Sequence, residues 1–308
     1  MTTLLFSHPD CIAHDTGPGH PERSARLTAV LDALAAPEFK SLIRREAPLA
    51  DISVIERVHD AAYIRSVFDA VPQSGYANLD PDTVLSPKSG TAALRAAGAL
   101  VAAVDAVIAN EASNAFCAVR PPGHHAVSDQ AMGFCLFNNV AIGALHALEA
   151  HRFARVAVVD FDVHHGNGTQ DVAMRDPRLF FASTHQFPAY PGTGRASDHG
   201  HGNVVNVPLV PGSGSAEFRS RFSDHVIPAL KAFHPQFLFI SAGFDAHKND
   251  PLAQLELTDD DFAWATTELL AAAKATCAGR VVSTLEGGYD LDALATSASA
   301  HIKALMQA

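Results

Sequence analysis

Four apolar runs, each closing on a cluster of polar residues, constrain the fold of this chain more than anything else in it. Val119 precedes RPPGHHA, Val159 precedes DFDVHHGNGT, Ile240 precedes SAGFDAHKND, and Leu285 precedes EGGYD. Short β-branched or apolar runs of this kind read as buried strands. The spacing predicts strands at Leu4 to Phe6, Asn114 to Val119, Arg155 to Val159, Leu179 to Ser183, Val204 to Val207, Phe237 to Ser241 and Val281 to Leu285. Amphipathic, alanine-rich stretches lie between them: Ser24 to Ala36, Asp60 to Ala70 with Asp60 as N-cap, Thr91 to Asn110, Asn139 to Ala150, Ala216 to Phe233 and Asp259 to Cys277. Strands alternating with helices predict an α/β fold with a mostly parallel central sheet and helices on both faces. No linker, repeat or charge block divides residues 1–308, so a single domain is expected. Ligand sites of such sheets collect outside the carboxyl ends of the strands, so the four clusters point to one site.

Composition narrows the partners. The chain carries 22 basic and 33 acidic side chains, a net charge of −11, which argues against a basic footprint for nucleic acid or anionic lipid. It leaves room for a cationic substrate. The longest apolar run, Ala96 to Ala109, is broken by Asp105 and reads as too short to cross a bilayer. The start MTTLLFSHPD has no basic segment before its short apolar run, so no signal peptide is expected. Cys11, Cys117, Cys135 and Cys277 are widely spaced, which fits a reducing compartment, and a cytoplasmic location is expected.

Asp162 and His164 stand one residue apart just after a strand. In extended backbone they project to the same face, where a carboxylate and an imidazole can grip one cation such as zinc. Asp250, in another strand-end loop, is a possible third ligand, leaving a position open for catalysis. His124 and His125 follow the stiff Pro121-Pro122-Gly123 turn and have the chemistry of a general acid and base near neutral pH. Asp160 and Asn167 are available to set their tautomers. Tyr289, after two glycines, has a hydroxyl that can donate to a developing oxyanion.

Taken together, RPPGHHA, GFCLFNN at Gly133 to Asn139, DFDVHHGNGT, SAGFDAHKNDP and LEGGYD resemble the zinc-dependent histone deacetylase family, in family order. HPER at His20 to Arg23 and VHDAAYI at Val58 to Ile64 fit its N-terminal half. LEGGY and the Asn of HHGNGT look more like the class II branch and its bacterial amidohydrolase relatives.

The resemblance implies an arginase/deacetylase-like fold and hydrolysis of an acyl amide on a long amine. It implies zinc on Asp162, His164 and Asp250, His125 moving protons, His124 paired with Asp160, and Tyr289 on the oxyanion. Gly133 and Phe134 match one wall of the channel for the acyl-lysine stem. Tyr190 maps to the opposite wall, where many lysine deacetylases have Phe, and Leu257 and Gly288 fall near the channel. An inner potassium site would use Asp160, Ser183 and backbone of Asp162, His164 and Thr184. An outer one would use backbone around Ala173, Asp176 and Leu179. Asp80 and Asp82 are candidates for holding the substrate at the rim. The main reading is an acyl-lysine deacylase acting on a peptide or protein. An acetylpolyamine amidohydrolase is the alternative enzyme, and a non-catalytic acyl-ligand binder the alternative from another class. Glu256 pointing into the channel would favour the polyamine, and Leu257 pointing in would favour lysine.

Overall fold

The computed structural model describes residues 2–307. Its strands are β1 (Thr3–Ser7), β2 (Ile43–Glu46), β3 (Ala77–Asn78), β4 (Val84–Leu85), β5 (Asn114–Cys117), β6 (Val156–Asp160), β7 (Leu179–Gln186), β8 (Val204–Leu209), β9 (Leu238–Ala242) and β10 (Val281–Leu285). Eight of them form one sheet in the order β2-β1-β5-β10-β9-β6-β7-β8, and every pairing within it is parallel. β3 and β4 form a separate antiparallel pair.

The four runs that end in polar clusters are β5, β10, β9 and β6, and these are consecutive neighbours at the centre of the sheet. Every residue in them is buried, as expected where helices cover both faces. One stretch of sheet edge therefore receives all four clusters. The outermost strands differ. All four residues of β2, Ile-Arg-Arg-Glu, are exposed, and its charges discourage further pairing. β2 has no apolar run, which is why the sequence pattern does not mark it.

Helix Ser89–Ile108 is longer than the apolar run suggested and, by length and composition, long enough to cross a membrane. Most of its residues are buried inside the protein instead. Gly98 lets the helix lie directly on the backbone of Pro48, where a methyl group would collide with the Pro48 carbonyl. The stretch read as one helix from Ala216 to Phe233 is Ser215–Arg221, a π-helical turn at Phe222–Val226, and Ile227–Phe233. Pro228 lacks the N–H that a regular α-helix would use there. The two longest helices passed over in the sequence are Asn167–Arg175 and Leu291–Gln307, the former starting inside the HHGNGT motif.

Candidate active site

The loop after β5 is fixed from the neighbouring strand. Glu286, immediately after β10, accepts hydrogen bonds from the backbone N–H groups of Gly123 (2.7 Å) and His124 (3.2 Å) through Oε2. A methyl on Gly123 would collide with the backbone at Phe137 and Asn139, so the turn needs glycine to seat this closely. The result aims both histidines at the carboxyl edge of β6.

There each imidazole finds a different partner. His124 Nδ1 lies 2.9 Å from Asp160 Oδ2, and His125 Nδ1 lies 2.8 Å from Asn167 Oδ1. Burial opposes charge on His124, but the Asp162 and Asp160 carboxylates outweigh it and raise its pKa to about 10. Burial, then His124 and His164, push His125 well below the ordinary imidazole value. Two adjacent histidines are thus driven in opposite directions, His124 towards the charged form and His125 towards the neutral one. The Asn167 carbonyl oxygen accepts from His125 Nδ1–H, which leaves the His125 Nε2 lone pair free.

Asp162, His164 and Asp245 form a cluster of donors suited to a metal cation. Their donor atoms all lie within 4.8 Å of one another, with His164 Nδ1 3.2 Å from Asp162 Oδ1 and 3.1 Å from Asp245 Oδ2. Two carboxylates and one imidazole are a donor set that fits zinc and leaves it an open position. The surrounding backbone is cut to suit. A methyl on Gly243 would strike Asp162, and one on Gly287 would strike both carboxylates. Gly287 N–H donates to Asp162 Oδ2 at 2.8 Å, and Val163 N–H to Asp245 Oδ1 at 2.9 Å. Burial opposes charge on His164, yet the hydrogen bonds to Asp162 and Asp245 raise its pKa to about 10.

This arrangement corrects the third member of the expected set. Asp250 accepts Tyr289 N–H at 2.7 Å and Leu252 N–H at 3.0 Å, so its carboxylate ties two loops together and stays outside the cluster. Both aspartates belong to the SAGFDAHKNDP motif. Asp245 is three residues beyond the end of β9, while Asp250 follows a turn that carries it towards the Tyr289 loop.

Residues 20–305 match the histone deacetylase domain. The chain belongs to the histone deacetylase family. It is 39% identical to the protein named histone deacetylase 14, chloroplastic, of Arabidopsis thaliana, over 98% of this chain and 76% of that one. It is 39% identical to the histone deacetylase-like amidohydrolase of Pseudomonas aeruginosa, over 93% and 81%. The crystal structure of the HDA15 HD domain superposes with a TM-score of 0.94 at 34% identity, covering 99% of this chain and 88% of that one. Family and relatives indicate a hydrolase of the deacetylase or amidohydrolase type.

The remaining expected residues of this deacetylase-family site fall in three groups. The first flanks the two histidines and His164. Gly133, at φ +56°, packs its backbone against the His125 ring, and the Tyr190 ring stands edge-on to His125 at 5.1 Å. Phe134 meets the Tyr289 ring edge-on at 5.9 Å. Burial raises the Tyr289 phenol well above its usual pKa, so it remains an O–H donor. Arg26 lies over the Tyr289 ring at 4.8 Å and donates to the carbonyl oxygens of Glu286 (2.6 Å) and Gly288 (2.5 Å), so Gly288 is part of the turn that holds Tyr289.

The second group is misplaced by the sequence reading. Leu257 is fully buried, with its N–H donating to Ala246 and its carbonyl accepting from Lys248, and offers no surface to a substrate. Glu256 is exposed and pairs through its backbone with Ser213. The apolar side chain on the loop turn beside Tyr289 is Leu252, 41% exposed, whose backbone shares the Asp250 carboxylate with Tyr289. The DPL step after Asp250 was the available signal for it.

The third group is the expected potassium environment. Asp160 and Ser183 face each other across β6 and β7, Ser183 Oγ is 2.9 Å from His185 Nδ1, and the buried Thr184 hydroxyl has no hydrogen-bond partner. The three carbonyls of the expected outer site, Ala173, Asp176 and Leu179, converge on the side-chain amide of Asn203 at 2.8, 3.3 and 2.6 Å. An amide N–H₂ thus occupies the centre of that outer set.

Sequence reasoning also missed a buried ionic cluster behind the site. Glu22, fully buried, receives Arg120 through both carboxylate oxygens and Arg26 Nη1 at 3.0 Å. Arg120 also donates to the carbonyls of Cys11 and His14. Burial works against its charge, but Arg120 and Arg26 hold the Glu22 carboxyl down to about 2. The signal was charge inside the HPER and RPPGHH motifs.

Proposed function

We propose that this protein is a zinc-dependent deacylase that hydrolyses acetyl or related short acyl groups from lysine side chains. The observation that carries the reading is the paired histidines, His124 on Asp160 and His125 on Asn167, set against the Asp162–His164–Asp245 cluster. Zinc bound by those three residues would supply Lewis-acid activation of water and of the amide carbonyl. His125 Nε2 takes a proton from water as its oxygen adds to the carbonyl carbon, then returns it to the amine nitrogen as the C–N bond breaks. Carboxylate and the protonated amine leave, the amine having taken the second proton of the water as well. His124, hydrogen-bonded to Asp160, orients and electrostatically stabilises the reacting carbonyl, and the Tyr289 O–H donates to the developing oxyanion. A potassium ion near Asp160 and Ser183, as the family resemblance implies, would steady the β6 end.

The lysine reading draws on Phe134 beside Tyr289, on Tyr190 beside His125, and on Leu252 at the Tyr289 turn. The polyamine alternative draws on Asp80 and Asp82. Thr83 Oγ1 lies 3.3 Å from Phe134 N, which brings this acidic turn to the channel wall, where a distal ammonium would be welcome. Rates of the zinc-loaded protein on acetyl-lysine peptides, longer acyl-lysines and acetylputrescine, measured side by side, test both. The lysine reading expects peptides to turn over fastest. A preference for acetylputrescine would replace it with the alternative, and no turnover on any acylated amine would sink the enzyme reading.

A further inference from the structure

The described residues hold a second set of converging metal donors, at the opposite edge of the sheet from the candidate active site. Asp105 lies in the last turn of helix Ser89–Ile108, His146 in the last turn of helix Asn139–Glu149, and His151 in the turn leading to β6. Both imidazole Nε2 atoms rest on one carboxylate oxygen, Asp105 Oδ1, at 2.7 Å for His146 and 2.6 Å for His151. All three donor atoms lie within 4.8 Å of one another, and the side chains remain partly open to solvent. The five residues of β6 separate this cluster from Asp162, a span of roughly 16 Å at the usual strand rise.

We propose that Asp105, His146 and His151 form a second site for a divalent transition metal, with zinc as the favoured ion. Two imidazoles and a carboxylate suit zinc and leave a fourth position for water, whereas calcium and magnesium prefer oxygen donors. Donors on tetrahedral zinc sit about 3.3 Å apart, so each imidazole need retreat from Asp105 by only roughly 0.6 Å. Three chain segments already supply the geometry.

Arg57 is the competitor. Its Nη1 lies 2.9 Å from His146 Nδ1, an arrangement that requires the His146 proton on Nε2. Metal at Nε2 moves that proton to Nδ1, and the guanidinium must then leave. It already has a second partner. Glu149 Oε2 is 3.4 Å from Arg57 Nε, and both residues line a cleft of about 320 Å³. Metal binding would therefore break the Arg57–His146 hydrogen bond, leave the Arg57–Glu149 ion pair in place, and tie the ends of two packed helices to the turn before β6.

The test uses the full chain with one equivalent of zinc already bound. Calorimetric titration with further zinc, and with Co²⁺ read by its visible absorption, should reveal a second equivalent and a raised Tm. Binding should weaken by more than about tenfold in His151→Ala and in His146→Gln, the least expected when a metal loses a direct ligand. It should tighten in Arg57→Gln. Hydrolysis by the one-zinc form should be unchanged in His151→Ala. Absence of a second equivalent overturns the site, as does a second equivalent that binds equally well to both histidine variants. Weaker binding in Arg57→Gln overturns coordination through His146 Nε2.

Discussion

The two edges of the sheet are built from the same strands and have opposite character. At the carboxyl edge the ends of β5, β6, β9 and β10, with the start of helix Ser24–Ala33, bury charge: Glu22, Arg26, Arg120, Asp160, Asp162, Asp245 and Glu286 are all essentially inaccessible. At the amino edge the polar side chains of short helix-to-strand turns stay wet, as at Asp105 and His151. The turns differ as well. Asn110, Arg152, His234 and Ala278, four of the five non-glycine residues at positive φ, lie in amino-edge turns just after helices. There a left-handed residue ends a helix and nothing else is asked of it. At the carboxyl edge, glycines at 123, 243 and 287 are needed because side-chain carboxylates or backbone occupy the space of a methyl group. Burying many charges together requires each to be satisfied by backbone N–H groups or by an opposite charge, and that leaves no room for slack.

Substitutions can break this contrast at several strengths. Asp245→Asn should abolish zinc binding and hydrolysis together, whereas Asp250→Asn should keep zinc and lose activity only partly; metal analysis beside turnover separates them. Zinc retained in Asp245→Asn and lost in Asp250→Asn would make Asp250 the ligand in place of Asp245. Tyr289→Phe should lower kcat by about 10²–10³ with zinc content unchanged, the usual cost of losing an oxyanion donor. Glu22→Gln leaves two buried guanidinium groups without their anion and should cost about 3–5 kcal/mol in denaturant unfolding. A loss below 1 kcal/mol would mean that the cluster is not a structural base for the Tyr289 turn. At the amino edge, Ala278→Gly should raise stability by about 1 kcal/mol by relieving a left-handed alanine, with no change in rate.

Much of the carboxyl edge was legible in the sequence because its chemistry is written in contiguous motifs. The His124-His125 pair, the Asp162-x-His164 spacing and the partners Asp160 and Asn167 all sit within runs whose strand-end position could be read from hydrophobic pattern. β2 was not legible, because an exposed edge strand of Arg and Glu carries no apolar signal. Leu257 misled because an apolar residue in a loop can turn into the core as readily as towards a channel. The sequence does not mark Asp105, His146 and His151 as one set of donors, since their separation along the chain forms no motif.

By itself the sequence determined the α/β class, the sheet edge that bears the site, the donor types and the family. Tertiary structure decided which donors meet. Asp245 and Asp250 stand five residues apart in one motif with the same carboxylate. One turns back onto Val163 N–H and His164, the other crosses to the N–H of Tyr289. A motif supplies the chemical groups, but the path of the loop, set by where buried backbone N–H groups need acceptors, chooses among them.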